Sequence, residues 1–360
     1  MAVDAQSALR VVNPQRGFIL VATLWLLALL TVAASYLAYL ATEAVDNAWR
    51  EQQAWRAELE MRGSQAAFLY LFSTRRLNVA GLTLEPPDLT PLTADQMDSL
   101  GPLLPVGNEV ALDDRRYQGL GHAMFTAQDE SGLITLTRPD RTQLGQLLGL
   151  IGVSAEQRDP LIDKLEDYSD SDDLARLNGG EARQYQERGL PAPPNRELLT
   201  SWEAHAILDW SGYEALWRSQ RLPRLTTILY TGLPNPNTAP LLNLQAIPGV
   251  DAETARRIVT GRPYLSYYAL NVAIGVPLPI DDMFLRLLAS DYVRLTLSHP
   301  DWPGRREIRL RLTPYSTSRP WLIDYALDFP ADNDPTTSPP APVASPVFAE
   351  APAAPPARTR

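Results

Sequence analysis

The chain has 360 residues, with 32 Lys and Arg against 42 Asp and Glu, three His and no Cys, and a formal net charge of -10. Without cysteine there is no disulfide framework, no thiol catalysis and no cysteine-held zinc or iron–sulfur centre, and an acidic chain lacks the concentrated basic face of a general nucleic-acid binder. Lys164, the only lysine, lies outside any GxxxxGK sequence, and neither HExxH nor GxSxG occurs, so the chain does not read as an enzyme.

Residues 1–17 are polar and end in Pro14-Gln15-Arg16-Gly17, and residues 18–42 then carry no formal charge (FILVATLWLLALLTVAASYLAYLAT). As a helix this run is about 37 Å long, enough for a hydrocarbon core of about 30 Å. Arg10 and Arg16 precede it, whereas Glu43 and Asp46 follow it. That bias predicts a cytoplasmic N-terminus and the bulk of the chain on the far side of the membrane. A cleavable secretory signal has an apolar core of only about 7–15 residues, so an anchored helix is expected. Residues 43–72 contain no Pro and a single glycine, Gly63, which predicts that the helix continues to about residue 73. Val45, Ala48, Trp55, Leu59, Ala66 and Leu69 fall near one face at helical spacing, and this stripe is expected to pack on a globular head.

Residues 121–138 read as two short strands around the turn-rich tetrad Asp129-Glu130-Ser131-Gly132. A largely helical stretch follows from about residue 140 to 290, long enough to be a domain of its own. Within it, residues 241–264 have the outline of a helix-hairpin-helix. Asp251 and Glu253 at its turn would repel phosphate, so a structural hairpin is predicted and nucleic-acid binding is not. From residue 291 the pattern switches to period two: Val293, Leu295 and Leu297, then Ile308, Leu310 and Leu312, with HPDWPG as the intervening turn and a third strand at 321–329. The Pro- and Ala-rich residues 330–360 read as a disordered tail. His122, His205 and His299 are far apart in the sequence and read as surface or satisfied residues, and Trp210, Tyr213 and Trp217 read as one packed helix face.

The candidate ligand site is an acidic loop. Residues 156–173 hold eight carboxylates against Arg158 and Lys164. Asp170, Asp172 and Glu181 occupy the first, third and twelfth places of an EF-hand loop, but Leu174 and Ala175 replace its fifth-place ligand and sixth-place glycine. Oxygen-only donors on a flexible loop suit Ca²⁺ better than zinc or copper.

Arg16-Gly17-Phe18, with a short cationic leader and an apolar helix, resembles a type IV prepilin signal. The resemblance implies that a prepilin peptidase cuts after Gly17 and methylates the amine of Phe18. Major pilins carry Glu at the fifth mature position, where this chain has Ala22. That departure is the pattern of the K-type minor pseudopilin of type II secretion (general secretion pathway protein K). The order of long helix, strands, helical insertion and terminal strands matches that family over about residues 14–329.

The resemblance implies an α+β fold: a long N-terminal pilin-type transmembrane helix packed on a small antiparallel sheet, with a large inserted α-helical domain. The expected divisions are a leader at 1–17, the long helix at 18–73, the head at 74–139 and 291–329, the insertion at 140–290 and the tail at 330–360. The family's association with calcium in the insertion points to Asp167, Asp170, Asp172, Asp173 and Glu181 as the ligands. The implied partners are other minor pseudopilins, the prepilin peptidase and the inner membrane. A bulky head and the absence of a fifth-position carboxylate lead to the expectation that the protein caps the filament tip and helps initiate assembly. A minor pilin of a type IV pilus system and an uncut bitopic periplasmic binding protein are the alternatives.

Overall fold

A computed structural model describes residues 18–85, 103–218, 221–230, 232–275, 286–330 and 341–348. The chain divides into two compact units, Met1–Arg56 and Ala57–Arg360. The described part of the first is helical throughout, because helix α1 runs unbroken from Phe18 to Thr74. It contains an 18-residue window of mean hydropathy 2.1, none of it buried, and is long and apolar enough to cross a membrane. Thr23, Thr31 and Thr42 donate their hydroxyls to carbonyls three or four residues back, so these polar groups are satisfied within the helix.

In the second unit α1 buries Ala57, Met61, Ser64, Phe68 and Phe72 and leaves Leu59 66% exposed, and Trp55, the last aromatic of the first unit, is 69% exposed. The packing face is therefore rotated from the predicted stripe, of which Leu69 alone is buried. Apolar residues surround this helix on more than one side, so spacing by itself does not choose the face; the sheet does.

That sheet has five antiparallel strands in the order β3-β4-β7-β8-β9: Asp113–Gln118, Met124–Asp129, Tyr292–Ser298, Gly304–Leu312 and Trp321–Pro330. A two-stranded hairpin, β1 (Leu77–Asn78) with β2 (Gly81–Leu82), precedes it and joins it through Val110 and the chain that follows. The predicted alternation puts Val293, Leu295, Leu297, Ile308 and Leu310 into a core with Met61, Phe68, Phe72, Tyr117 and Phe125. Strand β3 is absent from the sequence prediction: its Asp113-Asp114-Arg115-Arg116 run has no apolar alternation, and its place is set by pairing with β4.

The expected helical insertion is present, but it begins before residue 140. Ile134 and Leu136 lie in the insertion's core with Leu144, Leu147, Ile162, Tyr185 and Trp210, because Ile134–Thr135 (β5) pairs in parallel with Thr226–Thr227 (β6). Helices α2 (Arg141–Leu150), α3 (Ala155–Ser169) and α4 (Ala182–Glu187) frame this core. Trp210 and Trp217 are packed as expected but not on one helix, since Trp210 opens a 3-10 turn and Trp217 ends the short helix α5 (Glu214–Trp217). After α6 (Arg221–Leu225), the predicted hairpin forms as α7 (Leu241–Gln245) and α8 (Ala252–Thr260), and with α9 (Tyr267–Ile274) it has a small core of its own. The Asp251 carboxylate accepts the Thr254 amide, 2.7 Å away, at the N-terminus of α8.

One segment of the tail departs from the disorder predicted for it. Val343 pairs in parallel with Tyr117 at the edge of β3, its amide donating to Arg116 O at 2.8 Å and its carbonyl accepting from Gln118 N at 3.0 Å. Phe348 meets Phe125 edge-on at 6.2 Å. Proline density removes the chain's own reasons to order, but here β3 supplies a partner from outside the segment. The remaining tail residues, 331–340 and 349–360, lie outside the described residues.

Candidate functional site

The acidic loop begins on the buried face of α3. Asp163 accepts from Arg141 (2.8 Å) and from the amide and side chain of Asn178 (3.3 and 3.2 Å). Asp167, one turn further on, is wholly buried and accepts from the guanidinium of Arg176 (2.5 Å), the Arg176 amide (3.0 Å) and the Gly180 amide (2.9 Å). A side chain at position 179 would collide with the Asp167 carboxylate, which accounts for glycine there. Arg176 also reaches Asp170 (2.7 Å) and Glu166 (2.9 Å), so one cation is shared by three carboxylates and the cluster stays net negative.

Glu181 is different. It is 6% exposed and forms the capping box of α4 with Gln184, yet neither of its carboxylate oxygens makes a hydrogen bond of normal geometry, and Asp170 Oδ1 is in the same state. Burial and then the charges of Asp167, Asp170, Asp173 and Asp172 push its pKa up to about 7. Buried carboxylate oxygens normally find donors, and leaving them unpaired costs about 1–3 kcal/mol or more. Asp172 and Asp173 form the exposed rim, accepting from the Leu174 amide (2.9 Å) and the Asn195 side chain (3.0 Å).

All four predicted aspartates thus act on Glu181. Among the described residues, however, no three acidic or histidine groups already converge as a metal's ligands do, and Arg176 stands between Asp167 and Asp170. The donor set nevertheless fits a hard cation: it is oxygen-only, and Glu181 with Asp170 Oδ1 offers three buried acceptors without a hydrogen bond of normal geometry. Gly17 lies outside the described residues, and Phe18 is the first residue of α1.

Two further constellations escaped the sequence reading. The predicted turn Asp129-Glu130 is the buried joint between head and insertion. Asp129 accepts six hydrogen bonds, from the amides and hydroxyls of Ser131 and Ser290, the hydroxyl of Thr238 and the side chain of Asn235. Glu130 lies between Arg294 (3.1 Å) and Arg309 (2.7 Å) and accepts from Thr227 (2.8 Å). The available signal was two adjacent acids ending an apolar strand, with arginines alternating in the later strands.

The second constellation corrects the view of the histidines as separate. His122 and His299 stack edge to face at 6.3 Å, and both engage Glu60 of α1, through the His299 ring (3.0 Å) and the His122 amide (2.7 Å). Gly121, at φ +59, approaches the same carboxylate too closely for a side chain. The cluster ties α1 to two strand turns.

A long N-terminal helix whose second half packs on a five-stranded antiparallel sheet, with a helical insertion after β4, is the α+β arrangement of this chain. Residues 122–268 match the family model described as type II secretion system (T2SS), protein K. That match lies across the insertion and agrees with the K-type resemblance read from the residues. The chain's fold is similar to a chain in the crystal structure of the GspK-GspI-GspJ complex from the enterotoxigenic Escherichia coli type 2 secretion system. That match has 15% identity and a TM-score of 0.50, and covers 80% of this chain and 100% of that one. No curated protein matches the sequence.

Proposed function

We propose that this chain is the minor pseudopilin that caps the tip of a type II secretion pseudopilus and helps initiate its assembly, supporting protein export across the outer membrane. The observation that carries the reading is the protein-K match lying across the insertion and its junction with a pilin-type helix and sheet. The apolar half of α1 fits anchoring in the inner membrane before assembly, with the N-terminus cytoplasmic. Cleavage after Gly17 and methylation of Phe18 by a prepilin peptidase belong to the same reading. The partners are then the other minor pseudopilins, in keeping with the solved relative being a complex with GspI and GspJ. The role is structural and involves no catalysis.

Ca²⁺ bound by Glu181, Asp170 and Asp167, with Asp172 and Asp173 on the rim, would supply the positive charge that Glu181 lacks and stiffen the loop. Two measurements test the assignment. Mass spectrometry of the membrane-extracted protein should find N-methylated Phe18 as the first residue. Gold label on a tagged form should mark one end of overproduced pseudopili. An intact leader, label along the whole shaft, or normal filament initiation in a deletion strain would each count against it.

A further inference from the structure

The head sheet has two edges, and they are unlike. The β3 edge is blocked by three devices that discourage strand addition: a bulge, charged side chains and a covering segment. It is bulged between Asp113 and Arg116, Asp114 has φ 63, its residues are densely charged, and the chain's own Val343 segment pairs with it. The β9 edge has few such defences. Nine of its ten residues, Trp321–Pro330, pair with β8 on one side, and no described residue pairs with the other.

No lysine lies in β9 and its only proline is the last residue. Its two acids are drawn onto the neighbouring strand, Asp324 to Arg309 (2.9 Å) and Asp328 to Arg306 (2.8 Å), so neither presents an uncompensated charge along the edge. The one irregularity is a bulge at Asp324, beyond which Tyr325–Phe329 runs in regular register with Arg305–Arg309. In such a run alternate amides and carbonyls point away from β8. Beside it lies a groove between α1 and the sheet, half its lining apolar (Ala66, Leu69, Ile308 and Ala326) and half polar, with Arg62, Arg306 and Asp328 among the polar residues.

The geometry points to strand addition at β9: an extended segment from the head of another minor pseudopilin pairs with residues 325–329 and lays an apolar side chain into the Ala66–Ala326 groove. This rests on the pseudopilin reading above and adds the surface by which the partner is held. Main-chain bonds supply the attachment and the groove supplies the selection. The chain's own remaining tail is a poor occupant, since residues 331–340 and 349–360 are interrupted by proline, which lacks the amide a ladder needs. A pilin-type head is a suitable one, because its antiparallel sheet brings an edge of its own.

The test is amide hydrogen exchange on the full-length protein in detergent, alone and mixed with the I-type and J-type minor pseudopilins of the same secretion system. Complex formation is followed separately by size-exclusion chromatography. Exchange across 325–329 should slow at least about tenfold in the complex, while 113–118 is unchanged. Ala326→Lys, which places a charge in the groove beside the edge, should weaken the complex at least about tenfold without lowering the melting temperature, since position 326 is exposed. A complex that forms with 325–329 still exchanging freely, or with protection at 113–118 instead, overturns the inference and leaves the pseudopilin reading intact. Protection that rises with the concentration of this chain alone means pairing between two copies and also overturns it. Failure to bind either partner removes the pseudopilin reading and the inference together.

Discussion

The carboxylate of Asp129 accepts both the amide (2.9 Å) and the hydroxyl (2.7 Å) of Ser290, a residue 161 positions away. Asp129 ends β4 and Ser290 precedes β7, the strand beside it, so a single buried side chain fastens the two ends of the insertion together. All six of its partners are donors, and an amide in its place would turn one of its own donors against them. Asp129→Asn is therefore expected to lose about 2–4 kcal/mol, read as a lower urea midpoint. Asp129→Asn with unchanged stability would dismiss the clasp.

Glu130 sets the acid response of the same joint. Burial by itself would raise its pKa, but Arg294 and then Arg309 outweigh burial and hold it below the ordinary carboxylate value. A carboxyl depressed in the folded state stabilises above its unfolded value of about 4.3, and that stabilisation is lost as the pH falls through the lower folded value. Stability should accordingly drop between about pH 5 and pH 2. Glu130→Gln leaves two buried arginines short of a counter-charge and should cost about 3–5 kcal/mol at pH 7, with a flatter acid limb in a pH series of denaturation curves.

Calcium should raise the melting temperature of the full-length protein in detergent, and magnesium much less, because Mg²⁺ dehydrates reluctantly and demands a tighter octahedron. Glu181→Gln should abolish the calcium shift, as should Asp172→Ala combined with Asp173→Ala. Glu181→Gln should also raise stability in chelator, since it removes the unpaired buried charge. Calorimetric titration reads the binding directly, and an absence of heat in the unaltered protein refutes the calcium assignment.

Truncation after residue 340 removes the two Val343 hydrogen bonds to β3 and the Phe348 ring from Phe125. The expected loss is about 1–3 kcal/mol, from two hydrogen bonds and one aromatic contact. The bared β3 edge should also increase association at high concentration, measured by light scattering. Ending the chain after residue 348 should do neither.

The sequence by itself determined the elements whose cause is local. An uncharged run of residues 18–42 gives a helix long and apolar enough to cross a membrane, and the period-two residues from Val293 to Leu310 demand strands with one buried face. The acidic loop was legible as a cluster of carboxylates for the same reason. What the sequence could not say is which carboxylate stands without a partner. Asp163 and Asp167 are satisfied by Arg141, Asn178 and Arg176, and only the folded loop shows Glu181 buried beside them with no hydrogen bond of normal geometry to its carboxylate.

The tertiary structure likewise chose the buried face of α1, drew His122 and His299 to Glu60, and gave a proline-rich segment an edge to pair with. It also made a turn at Asp129-Glu130 into the joint of the molecule. Hydropathy and periodicity act over a few residues and survive reading along the chain. Pairing between groups more than a hundred positions apart depends on how the chain closes, and no neighbour in sequence carries that information.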